Sequence, residues 1–153
     1  GYRNIILKAK ELVKNAKKKI VISGWRREVE EIRKELISAK KRGIENTIFS
    51  FTKMDEKLGK IVSYELSESD LRKIWTPKII MIVDNQHTIM GSTKKTEDCK
   101  AILTKNTAIN EIATNHIILD ITLAGRRLGF ESDSYVKNIM RDPAENLQHL
   151  LNV

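Results

Sequence analysis

Two short β-rich runs, Lys19–Ser23 and residues 46–51 (NTIFSF), enclose a stretch whose apolar residues recur at helical spacing. Val29, Ile32, Leu36 and Ala39 fall three or four apart, which predicts an amphipathic helix over residues 27–42. Gly43 stands where a left-handed C-cap belongs. A strand, a helix and a strand in succession constrain a chain strongly. The two strands are expected side by side and parallel, joined by a right-handed crossover, in an α/β fold.

The same patterning extends in both directions. Ile5, Ala9, Leu12, Val13 and Ala16 predict a helix over residues 3–18 with lysines on its other side. It starts at the first residues without a cap, so it reads as the end of a longer helix. Residues 61–66 form a candidate strand. Ser67, with Asp70 three residues on, caps a short helix that Pro77 stops. Residues 78–83 and 87–90 flank the turn Asp84-Asn85-Gln86 and predict a β-hairpin. After a polar loop, 93–100, a last strand covers 101–104. A long helix then runs from Asn106 or Thr107 to about residue 124, with Gly125 and Gly129 interrupting it. Asp142-Pro143-Ala144-Glu145 opens a final helix to about Leu151. No repeat or composition shift divides the chain, so residues 1–153 are expected as a single domain.

Composition narrows the function classes. Apolar residues make up 41% and charged residues 31%, and the longest apolar runs are far too short to span a bilayer. No signal peptide is visible. One cysteine, Cys99, excludes an internal disulfide and a cysteine-cluster metal site, which favours a reducing, cytoplasmic setting. The net charge of +8 is uneven. Residues 1–43 hold 14 of the 28 basic and 5 of the 20 acidic residues, a net of +9, leaving −1 for the remainder. A solvated helix surface, a face near DNA and another acidic partner are all compatible with it. Aromatics are only 5% and do not alternate with basic residues, so no single-strand stacking platform is expected.

Catalytic motifs are sparse. His87, His116 and His149 have no metal-ligand spacing, and no phosphate-binding glycine loop, dinucleotide turn or serine elbow occurs. No metal and no cofactor are expected. The informative stretch is WTPKIIMIVDNQHTIMGSTKK, residues 75–95. Its spacing from Asp84 to Gly91-Ser92 resembles the phospholipase D superfamily motif. In that superfamily a histidine and a lysine on the first strand, and a Gly-Ser-x-Asn run on the second, attack and hold a phosphoryl group. Here Pro77 stands at the histidine position, Ile79 at the lysine position and Lys94 near the asparagine position. Lys78 is one residue off and points to the other strand face. The resemblance therefore implies the scaffold without the nucleophile, and no catalytic residue is assigned.

A longer resemblance spans about residues 5–122. KAKELVKNAKKKIVISGW, a charged helix ending AKKRG, TPKIIMIVDNQHTIMGS and AILTKNTAINEIATNHIILDI follow in the order seen in TrmB-like sugar-specific transcriptional regulators. The resemblance implies a phospholipase-D-like effector domain with a mixed, largely parallel sheet flanked by helices. Residues 1–18 would end a linker helix from an upstream winged helix-turn-helix domain, through which DNA is bound. It further implies a homodimer, no membrane association and a non-catalytic sensing role. The alternatives are a phospholipase-D-like phosphodiesterase or nuclease, and a ligand-free protein-interaction domain. The effector would be a sugar, a sugar phosphate or an anion. Ligands of open α/β sheets sit beyond the C-terminal strand ends, which places the expected pocket among Trp25, Asp84, Ser92, Thr104, Lys105 and Asn106.

Overall fold

A computed structural model describes residues 1–96 and 99–140; the helix expected over 142–151 lies outside them. The elements are α1 (Tyr2–Asn15), β1 (Lys19–Ser23), α2 (Arg26–Glu31), α3 (Arg33–Lys41), β2 (Glu45–Thr52), β3 (Lys60–Leu66), α4 (Glu68–Leu71), β4 (Lys78–Val83), β5 (His87–Ser92), β6 (Ala101–Thr104), α5 (Thr107–Leu128) and α6 (Asp133–Ile139). One 3-10 turn, Glu56–Leu58, connects β2 to β3.

The six strands form one sheet in the order β3-β2-β1-β4-β5-β6. The crossover expected between β1 and β2 is present, with Val21 beside Thr47 in a parallel register. β3 extends this parallel part. β4 runs antiparallel to β1, and the hairpin to β5 and the step to β6 are antiparallel as well. The sheet is thus mixed, with β1, β2, β3 and β5 pointing one way and β4 and β6 the other. Positive φ angles at Asp84 (54°) and Asn85 (53°) make the hairpin turn of the kind whose twist matches antiparallel strands.

Helices cover both faces. On one, Ile5, Ala9 and Val13 of α1 and Ile32 and Leu36 of the α2–α3 segment bury against Ile20, Ile22, Ile79 and Met81. Each valine, leucine, isoleucine or methionine among them contributes roughly 1.5–3 kcal/mol by leaving water. On the other, Ala113, Ile117, Ile121 and Ala124 of α5 pack on Val21, Phe49, Val62 and Ile82.

The helix expected over 27–42 is broken at Ile32, whose φ of −109° separates α2 from α3. Gly43 follows α3 with φ 85°, as a C-terminal left-handed position requires. Gly125 does not interrupt α5: the helix passes through it to Leu128, and Gly129 at φ 77° ends it. Gly125 is small because the backbone oxygen of Phe130 lies 2.9 Å from where a Cβ would stand. That return places α6, which the sequence pattern does not reveal, against α5.

Candidate functional site

The strand directions decide where the expected pocket residues lie. Trp25 and Ser92 follow the C-terminal ends of β1 and β5 and share one rim of the sheet. Asp84 ends β4 and Thr104 ends β6, and both strands run the opposite way. Asp84, Thr104, Lys105 and Asn106 therefore lie at the other rim, beside the start of β1. The six residues do not enclose one pocket, because the expectation of a common rim required β4 and β6 to run parallel to β1.

Several of these residues are engaged locally. The Asp84 carboxylate accepts main-chain N–H bonds from Lys17 (2.9 Å), Lys18 (2.7 Å) and Lys19 (3.0 Å), tying the hairpin turn to the start of β1. Asn106 caps α5 by accepting from the Ile109 amide at 3.1 Å, and the Thr104 hydroxyl accepts from the Asn106 amide at 3.0 Å. The Thr-Lys-Asn run is thus the strand-to-helix junction. Trp25 is only 3% exposed, and its ring is covered by the Arg72 guanidinium at 5.7 Å, so its indole offers no open stacking face.

At the rim shared by Trp25 and Ser92, the positions compared in sequence with a phosphoryl-binding motif hold other side chains. Pro77 is buried, and Ile79 is fully buried in the α1-side core. Lys78 projects from the other face and lies 5.9 Å from the Trp75 ring. Pro77 accepts a hydrogen bond from the Thr93 amide at 2.9 Å. Arg27 donates in turn to the Thr93 carbonyl and to the carboxylate of Glu28, which has no exposed surface. The Arg27 guanidinium also lies 5.4 Å from the Tyr2 ring. Burial, reinforced by the Glu28 charge, pushes the Tyr2 phenol up to about 12, so Tyr2 remains protonated at any physiological pH. The sequence gives no sign of this cluster, since Glu28 falls in a charged helical stretch that reads as solvent-facing. Cys99 is buried and donates its S–H to the Ser92 carbonyl at 2.7 Å.

A groove of about 970 Å³ opens beside this cluster. It lies between α1 and strands β4–β6, on a part of the sheet face that no described helix covers. Ile79, Ile89 and Leu103 line it from the sheet, and Ile5 lines it from α1. Ser92 and Lys100 border one end along the strand edge, with their side chains on the Lys78 face, and Lys8 stands on the helix side. Gly91 keeps β6 close: a Cβ there would stand 2.4 Å from the Ala101 Cα and the Lys100 carbonyl. Among the described residues, no group of histidine, cysteine and acidic side chains suits a metal ion. Nor is any described helix long and apolar enough to cross a membrane.

This strand order and two-sided helical cover define a phospholipase-D-like α/β domain. The solved Nuc from Salmonella typhimurium, a phospholipase D family member, superposes with a TM-score of 0.52 at 19% identity, over 74% of this chain and 82% of that one. NucT from Helicobacter pylori does so with a TM-score of 0.53 at 14% identity, over 75% and 86%. Residues 1–115 match the family described as transcriptional regulator TrmB, EBD N-terminal subdomain, and the chain belongs to that family. TrmBL2, an archaeal chromatin protein whose structure is described as showing a novel mode of DNA binding, superposes with a TM-score of 0.56 at 14% identity. The match covers 76% of this chain but 47% of TrmBL2, so the chain spans about half the length of that relative. At these identities the three structures show a shared fold. No curated protein matches the chain in sequence.

Proposed function

We propose that this domain is the non-catalytic effector-sensing part of a TrmB-type regulator, and that its effector binds in the groove between α1 and β4–β6. The observation that carries the non-catalytic half is the pair Pro77 and Ile79. A proline cannot attack phosphorus, and a fully buried isoleucine cannot hold a phosphoryl oxygen. Arg27, which reaches the Thr93 carbonyl beside Pro77, is also turned to Glu28. The sensing half is supported by the regulator family and by the groove, which is of ligand size. Of the six residues expected from sequence, Ser92 borders this groove, with its side chain on the same strand face as Lys78. The DNA-reading function belongs, in this proposal, to a winged helix-turn-helix domain joined through α1, and the regulator acts as a homodimer.

Two measurements test it. Purified protein should release no nitrophenol from bis(p-nitrophenyl) phosphate above the buffer rate; turnover by the folded protein would restore a phosphodiesterase. A thermal-shift screen of sugars, sugar phosphates, carboxylates and inorganic anions should yield stabilising compounds, because a ligand of the native state raises stability by RT ln(1 + [L]/Kd). Leu103→Trp, which fills the groove from a half-exposed position, should erase the shift. A domain stabilised by no compound class would be a structural or protein-interaction module instead.

A further inference from the structure

We propose that the rim at which β1, β2 and β3 begin is a docking face for the phosphate backbone of duplex DNA. The inference rests on the chain being part of a DNA-binding regulator, and it sets the sensing domain itself against that DNA.

Three neighbouring parallel strands form the face. β3, β2 and β1 lie side by side and run the same way, so the segments leading into them meet at one rim. Residues 14–19 lead into β1, 40–45 into β2 and 56–60 into β3. Hydrogen bonds tie the three segments together. Arg42 donates to the Lys14 carbonyl at 3.2 Å, the Glu45 amide to the Lys18 carbonyl at 3.2 Å, and Lys40 to the Lys57 carbonyl at 3.0 Å. The segments hold nine basic residues and two acidic ones, Glu45 and Glu56, so nearly all of the chain's net charge of +8 gathers there. Asp55 adjoins Lys57 but is taken by Arg33. Lys14, Lys17, Lys18, Lys41, Lys57 and Lys60 are exposed. Around the opposite ends of the same strands the charges are mixed: Lys53, Arg72 and Lys73 stand among Glu65, Glu68 and Asp70.

The partner follows from this chemistry. Two steps between strands spread the lysines over roughly 10 Å, wider than one compact anion can bridge. A duplex carries one negative charge per about 1.7 Å of its axis, so the same span presents about six phosphates. A lipid surface is held by apolar and aromatic side chains that insert beside the lysines. A protein partner needs an apolar centre to its interface. None of the large exposed apolar side chains falls in these three segments, so the face offers charge alone. That suits a partner whose affinity comes from counterion release.

Two triple variants of the whole chain with the same net charge test the placement. One carries Lys41→Gln, Lys57→Gln and Lys60→Gln on the rim. The other carries Lys53→Gln, Lys73→Gln and Lys94→Gln at the opposite rim. All six side chains are exposed, so both variants should melt like wild type. Fluorescence anisotropy with a labelled random-sequence duplex is followed from low to physiological salt. The rim triple should bind about tenfold more weakly at low salt and lose about 0.9 of the log–log salt slope for each lysine that touches a phosphate, whereas the control should keep the slope and lose at most about twofold. Equal losses in the two triples would assign the attraction to net charge and overturn the docking face. So would vesicles of phosphatidylserine and phosphatidylcholine, or polyglutamate, binding as tightly as the duplex at the same salt. In either case, a melting temperature still raised by a compound from the effector screen leaves the sensing reading standing. Cleavage of the duplex during the titration would instead restore a nuclease and overturn the regulator reading beneath the proposal.

Discussion

At Asp84 one carboxylate accepts three main-chain N–H donors from residues 65 to 67 positions away in sequence. Hydrogen bonds to a charged acceptor contribute more than neutral ones, and the donors left behind are costly where they are part-buried. Asp84→Ala should therefore lower stability by about 2–4 kcal/mol in urea unfolding, with Asp84→Asn in between because the amide keeps one acceptor oxygen. A loss within about 0.5 kcal/mol, the usual size for an exposed surface change, would make Asp84 a turn residue only. The sequence shows the turn chemistry of Asp-Asn-Gln but contains no pattern that pairs Asp84 with the start of β1. Glu28 is the converse. Its burial beside Arg27 and Tyr2 depends on α1 folding back over α2, and a carboxylate in a basic helical stretch carries no local sign of it.

Elements were legible where one residue period ran unbroken. The β1–α2/α3–β2 unit, the hairpin and the start of α5 follow directly from spacing and caps, because each packs a single face. The short α4 follows from its cap: Ser67 accepts from the Asp70 amide at 3.3 Å. What spacing does not encode is strand direction, and with it the division of the expected pocket between two rims. α6 was hidden for another reason, since its buried residues, Val136 and Ile139, are too few to make a periodic stripe. Burial also bears on the proposed homodimer. Val13 of α1 and Ala16 just after it, on the apolar stripe read from the sequence, lie in the domain's own core and offer no surface to a second copy. The apolar residues left exposed on one side of a long helix are Ile112, Leu119 and Leu123 of α5. Glu111 stands near one end of that helix, and Arg126 and Arg127 near the other, so antiparallel pairing of two copies matches opposite charges. The triple replacement Ile112→Ser, Leu119→Ser, Leu123→Ser should shift the protein from dimer to monomer in sedimentation at micromolar concentration, with the melting temperature nearly unchanged. A variant that stays dimeric would place the interface elsewhere.

For the whole molecule, the basic excess of residues 1–43 divides into two kinds of use. Part of it is consumed inside the fold. Lys19 donates to the carbonyls of Asn138, Ile139 and Met140 at the end of α6. Arg42 donates to the carbonyls of Val13 and Lys14 at the end of α1, where a cation also meets the negative end of the helix dipole. Arg27 and Arg33 are paired with Glu28 and Asp55, and the Arg33 guanidinium holds the Asp55 carboxyl below its usual range. The rest is open to water, including Lys14, Lys17 and Lys18 around the end of α1. Exposed lysines attract a phosphate backbone by charge, and phosphate contacts carry no base sequence. The domain alone should therefore bind duplex DNA weakly and with no sequence preference. Its log affinity should fall against log salt with a slope of about −0.9 for each phosphate neutralised. Replacing Lys14, Lys17 and Lys18 with Gln should reduce the slope by about one for each lysine that touches a phosphate, and it should leave folding intact because only the main-chain N–H groups of Lys17 and Lys18 hold Asp84. Gel-shift titrations from low to physiological salt measure both quantities. Salt-resistant preference of this domain for one duplex sequence would move sequence reading into the domain and contradict its assignment to an upstream helix-turn-helix.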